Sequence, residues 1–230
     1  MTHIPFAPFA HLPYCPVCPS LPPSLYQSLL RILYCWSIRR PATGYVQGIN
    51  DLLTPLYLVF IQDPVHVDSL SDAFLMEVEA DTFWCLSNLL DGIQDNYTFN
   101  QSGVHRQVAS LRAIVERIDP QLVNHLDQEA VQFLQFAFRW MNCLLLREFR
   151  LATVVRLWDG YMAECGPVGF KHFHVYVCAA FLLKWRRQLQ LLDFQDVLVF
   201  LQTPPTADWA DDDVEMLLSE AFVLKSLFHK

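Results

Sequence analysis

Residues 43 to 51 read Thr-Gly-Tyr-Val-Gln-Gly-Ile-Asn-Asp, and here the residue types and their spacing suit chemistry. Gly44 and Gly48 bracket a Tyr45-x-Gln47 unit, a pattern that predicts a sharp bend presenting one amide side chain at the mouth of a helix. The apolar run Leu52 to Phe60 that follows would bury itself and leave Gln47 at its exposed start. A glutamine side chain carries an acceptor and a donor on one flat group, so it can hold a water in line with a phosphate while bonding a partner's backbone. It orients a nucleophile without acting as a base. An aromatic beside such a loop packs and fixes it, so Tyr45 takes a supporting role.

The segment resembles the TBC domain of Rab GTPase-activating proteins, whose Tyr-x-Gln motif supplies a glutamine finger to the GTPase in trans. Similarity continues through Glu79-Ala80-Asp81-Thr82-Phe83-Trp84-Cys85, Leu90 to Tyr97, Gln135 to Asn142, Arg156-Leu157-Trp158-Asp159 and His174 to Leu182. In that order these segments resemble the TBC domain family member 22 subgroup, over roughly Ser24 to Phe228. The resemblance implies a GTPase activator whose partner is a GTP-bound Rab, with Gln47 and Tyr45 as its site residues. GTP and Mg2+ would belong to that partner, so the chain itself needs no cofactor and has no active site of its own. The alternative is a non-catalytic Rab-binding module in membrane trafficking. The family also carries an arginine finger in an Ile-x-x-Asp-x-x-Arg segment, whose place here falls near Leu12, and no arginine precedes Arg31. The arginine finger is therefore not found in these residues, and impaired activation is expected of them.

Other residues also invite functional readings. Arg156, Trp158 and Asp159 read as a structural network, with the charges pairing to Arg147 or Glu148 beside a buried indole. Arg139 and Arg147 lie on or beside a strongly apolar stretch, whereas a finger must project from the surface, so neither replaces the missing arginine. Cys15 and Cys18, with His3 and His11, have the Cys-x2-Cys half of a zinc site but no usual histidine spacing, and no metal is expected.

Composition narrows the classes further. The chain has 230 residues, of which 53% are hydrophobic and 13% aromatic, enough for a substantial core. Its longest charge-free apolar windows are only about half of the roughly 20 residues a spanning helix needs. A net charge of -8 without a Lys/Arg block argues against nucleic acid as a partner. Seven glycines assemble no phosphate-binding loop. The seven cysteines, an odd number scattered mostly in apolar helical stretches, fit a reducing, cytoplasmic setting. The family resemblance adds a peripheral place on Golgi or other endomembranes, reached through partners only.

These residues must be positioned by helices. Half of the 14 prolines fall within residues 1–23, which reads as an irregular Pro-rich leader before an N-terminally incomplete TBC domain over 24–230. Helices are predicted from an N-cap at Ser24 to before Pro41, and over Ile49–Ile61, Met76–Leu90 and Val104–Ile118, the last stopped at Pro120. A nearly all-round apolar helix over Val131–Leu146 would be the centre of the core. Helices over Leu151–Tyr161, Gly169–Arg187, Asp193–Gln202 and Asp212–Phe228 complete the chain. No period-2 strand is found, so the fold expected is all-α, with two packed helical lobes.

Overall fold

A computed structural model describes residues 23–41, 45–62, 71–164 and 169–228. The leader, the Cys15/Cys18 pair and Gly44 lie outside the described residues, apart from Pro23. The described secondary structure is helical throughout, and the chain divides into two compact units, Met1–Leu90 and Asp91–Lys230. The all-α expectation holds.

The first unit contains α1 (Pro23–Arg39), α2 (Ile49–Ile61) and most of α3 (Asp72–Gly92). Ser24, expected to cap α1, is instead its second residue. Proline suits the first turn, because its missing N–H is one that a helix start leaves unbonded anyway. Leu29, Ile32, Leu33 and Trp36 bury one stripe of α1. On α3, the Glu79 carboxylate accepts from Ser28 Oγ at 2.8 Å and from Arg31 Nε at 3.0 Å, tying it to α1. The Arg39 guanidinium lies over the Phe83 ring at 5.4 Å. The third helix starts a turn earlier than predicted, because Ser71 Oγ accepts from Phe74 N at 3.2 Å and caps it.

The second unit begins with a 3-10 turn over Gln94–Asn96, followed by α4 (Ser102–Ile118) and α5 (Pro120–Gln128). Sequence periodicity treats Pro120 as a stop and misses α5. Asp119 and Pro120 together begin a helix, with the aspartate side chain accepting from Leu122 N at 2.9 Å. Next come α6 (Phe133–Cys143), α7 (Leu151–Ala163), α8 (Gly169–Lys184), α9 (Arg186–Leu189), α10 (Phe194–Gln202) and α11 (Asp211–Phe228).

The predicted 131–146 helix is neither continuous nor central. It breaks at Leu144 and Leu145, with φ of 51° and 60°, a left-handed pair that costs side chains about 1–2 kcal/mol each. Tertiary contacts offset that cost: Tyr97 Oη donates to Asn142 O at 2.6 Å, Trp158 Nε1 donates to Leu144 O at 3.2 Å, and Leu144 to Leu146 are all buried. The central element is α8, buried from Phe173 to Leu182 and flanked by α4, α6, α7 and α11. It also ends earlier than predicted, with a break at Trp185 before α9. Of the free cysteines, Cys143 and Cys178 are buried as small hydrophobes, but Cys35 and Cys85 are exposed, contrary to the apolar setting expected of them.

A fully buried histidine lies at the centre of this unit. The carbonyl of Trp140 can only accept, so His174 Nε2 donates to it at 3.0 Å, and Tyr161 Oη donates to Nδ1 at 2.9 Å. Burial lowers the His174 pKa from 6.5 to about 4, the Trp140 carbonyl opposing only part of that shift. The unfolded chain therefore takes up this proton first as pH falls, so the stabilisation is complete above 6.5 and is lost between 6.5 and about 4. A loss of about 3 kcal/mol across that window is expected from this residue. NMR titration of the ring together with urea denaturation at stepped pH checks it. A His174 ring titrating near 6.5, or stability flat across the window, would refute the buried neutral state.

Candidate functional site

The Tyr45-x-Gln47 unit enters α2 through a tight turn. Ile49 N donates to Val46 O at 3.2 Å, and Gly48 has φ 108° and ψ -22°. That is the conformation of the third residue of a type II turn, where a positive φ favours glycine. Gln47 consequently sits at the turn's apex. It is exposed, and its amide makes no hydrogen bond among the described residues.

Three side chains hold this turn from behind. Asn50 Oδ1 accepts from Gly48 N at 3.2 Å and from Tyr45 Oη at 3.1 Å. Its Nδ2 donates to Asp51 Oδ1 at 3.0 Å. Asp51 is fully buried at the start of α2, where the positive end of the helix dipole favours a carboxylate. Burial, then the neighbouring Asp51 charge, pushes the Tyr45 phenol up to about 12, so the hydroxyl keeps the proton it donates to Asn50. From sequence, neither Asn50 nor Asp51 was given a part in the site. A polar residue two positions after a glycine that needs a positive φ was the available signal.

Gly48→Ala is expected to cost about 1–2 kcal/mol, the penalty of a left-handed conformation for a residue with a Cβ, and Gly48→Val more because of its branch. Urea denaturation measures the loss. An unchanged midpoint for both variants would show that the turn relaxes freely.

Among the other sequence-predicted residues, Arg139 is held between Glu148 Oε1, 2.8 Å from its Nε, and the carbonyl of Gln202, 2.5 Å from Nη2. Burial pushes the Glu148 carboxyl up, against the pull of Arg139 and Arg147. The guanidinium thus compensates a buried acid, and the reading of Arg139 as a structural residue fits its bonds. Arg156 corrects the expected pairing. Its partner is Glu215 of α11, at 2.8 Å on the surface, while Glu148 belongs to Arg139. Trp158 is buried as expected, and Asp159 is exposed.

Comparison with known proteins adds a second line of observation to this geometry. The Rab-GTPase-TBC domain model matches residues 22–192. The chain belongs to the Rab-GTPase-TBC domain family. It is 55% identical over 214 residues to the GTPase-activating protein gyp1 of Schizosaccharomyces pombe, covering 90% of this chain and 41% of that protein. It is 54% identical over 217 residues to TBC1 domain family member 22A of Homo sapiens, covering 90% of this chain and 42% of that protein. The chain therefore spans less than half the length of these TBC relatives. Among solved structures, the Ypt/Rab-GAP domain of Gyp1p superposes with a TM-score of 0.87 at 48% identity, covering 96% of this chain and 74% of that one. A Chlamydomonas flagellar RabGAP TBC domain, at TM-score 0.66 and 21% identity, shares the fold.

Proposed function

We propose that this TBC domain binds a GTP-loaded Rab and promotes hydrolysis of the Rab's GTP, with Gln47 supplying its amide in trans. The observation that carries this reading is an exposed, unbonded amide at the apex of a turn held by Gly48, Asn50 and Tyr45. A group that must enter another protein's site has to be free of its own chain yet fixed in direction, since a misplacement of about 1 Å can cost 10²-fold in rate. In this reading Gln47 orients the attacking water and bonds the partner's backbone. Tyr45 stiffens the loop, and nucleotide and Mg2+ are the Rab's.

A second reading, a Rab-binding module without catalysis, is favoured for these 230 residues by their lack of any arginine before Arg31. An arginine finger offsets charge developing on the transferred phosphoryl group, and the glutamine does not replace that charge. The two readings separate in one experiment: single-turnover phosphate release across a panel of GTP-loaded Rabs, with the chain and with Gln47→Ala. Binding accompanied by acceleration that Gln47→Ala removes supports the first reading, and binding without acceleration the second. Absence of binding to every Rab would overturn both.

The same reading places the protein in vesicle trafficking, in the cytoplasm and at Golgi or other endomembranes through its partners. No described helix is long and apolar enough to cross a membrane.

A further inference from the structure

In the second unit, α11 packs along α8 and leaves an open groove of about 790 Å³ between the exposed sides of α8, α9 and α11. Its apolar lining includes Leu183, Met216, Val223 and Leu224. Met216 and Val223 are 60% and 53% exposed, and Leu227, one turn beyond Val223 on α11, is 68% exposed. Residues 216, 223 and 227 repeat at helical spacing, so α11 turns a second apolar stripe outward, besides the stripe of Val214, Leu217 and Ala221 that it buries.

The groove's rim is basic, in a chain whose net charge is -8. Lys184, Arg186 and Arg187 line it together, and none of them forms an ion pair among the described residues. Lys184 Nζ lies over the Trp209 ring at 4.8 Å, and Arg186 and Arg187 are exposed. Four other arginines of this unit do meet a carboxylate: Arg106 with Asp95, Arg112 with Asp127, Arg139 with Glu148 and Arg156 with Glu215. Three neighbouring cations without an ion-pair partner, against the single acid Glu220 in the lining, leave the groove net positive beside its exposed apolar residues, a surface complementary to carboxylates carried on an apolar scaffold.

We propose that this groove docks an acidic amphipathic helix of a partner protein. Its apolar face would lie on Leu183, Met216 and Val223, with its carboxylates on Lys184, Arg186 and Arg187. A channel between helices takes an amphipathic helix through anchors three and four residues apart. An anionic membrane suits the site less well. The groove is concave, a shape that a helix fills and a flat surface does not.

The test is selection from a phage-displayed library of random 16-residue peptides on the chain, with counter-selection on an Arg186→Glu/Arg187→Glu variant. Enriched peptides should be acidic, with apolar residues three and four apart. A synthetic peptide of the enriched sequence should bind the unaltered chain at least tenfold more tightly than the variant, and more weakly as salt is raised. Circular dichroism melting checks that the variant is folded, and Met216→Glu/Val223→Glu, which changes the lining instead of the rim, should weaken the same peptide. Failure to enrich any peptide that discriminates the variant, or enrichment of neutral or basic ones, would overturn the proposal. So would binding to phosphatidylserine vesicles in place of peptide, or a dimer in sedimentation that the charge reversal disperses, which would make the occupant a membrane or a second copy. None of these readouts involves a Rab or Gln47.

Discussion

Replacing residues 1–23 with a segment that carries Ile-x-x-Asp-x-x-Arg is expected to raise single-turnover phosphate release from a GTP-loaded Rab by about 10³ to 10⁵ over the unmodified 230 residues. By transition-state arithmetic this is roughly 4 to 7 kcal/mol. The physical reason is a division of labour. Gln47, held at the apex of its turn, can align a water, but an amide carries no net charge to place against the negative charge that grows on the phosphoryl oxygens. Gln47→Ala in the extended chain should then remove most of the gain, on the order of 10² or more, the scale of losing one positioned hydrogen-bonding group. Affinity for the Rab should change little, because one exposed amide contributes little to a whole interface. Full activity from the unmodified residues would show that another arginine, or the Rab itself, supplies the charge. Activity indifferent to Gln47→Ala would remove the glutamine from the mechanism.

Trp158→Ala is expected to destabilise the second unit by about 3–5 kcal/mol, the usual cost of truncating a buried tryptophan. Trp158 is 1% exposed, its ring meets Phe170 edge-on at 5.5 Å, and Nε1 bonds the Leu144 carbonyl at 3.2 Å. That last bond raises the effect, because Leu144 lies in the left-handed pair that ends α6, and its buried carbonyl would lose this donor. For a domain of this size the melting temperature should fall by roughly 10 °C. Its neighbour offers a contrast. Arg156 meets Glu215 at the surface, where solvent screens the pair, so Arg156→Ala should leave the melting temperature nearly unchanged. Thermal melts of both variants, with Rab binding measured well below the transition, make the comparison. If Trp158→Ala melted like the unaltered chain but lost Rab binding, Trp158 would belong to the interface instead of the core.

Much of the architecture could be read from the order of residues, for reasons that particular elements make plain. Leu29, Ile32, Leu33 and Trp36 recur at helical spacing because one face of α1 must be buried, and burial of one face writes its period into the chain. Gly44 and Gly48 announced a bend, and at Gly48 the backbone is left-handed, a conformation that favours glycine by a requirement local to that position. Asp193 could be read as a helix start because capping is settled within four residues, and its side chain accepts from Asp196 N at 3.0 Å.

What local pattern could not supply came from partners distant in sequence. Apolar residues continue through Leu144 to Leu146 whether the backbone is helical or turned, so the break after Cys143 followed from bonds to Tyr97 and Trp158 and not from any residue type in the run. The choice of α8 over α6 as the central helix likewise depended on which helices pack around it. Partners of the charges showed the same dependence. Arg156 met Glu215, 59 positions away, while nearer Glu148 was held by Arg139. The turn that carries Gln47 could be expected from sequence, but what braces it could not. That came from the folding back of Tyr45 and Asn50 onto Gly48, with Asp51 buried behind them, because hydrogen bonds of this kind depend on where side chains meet in space.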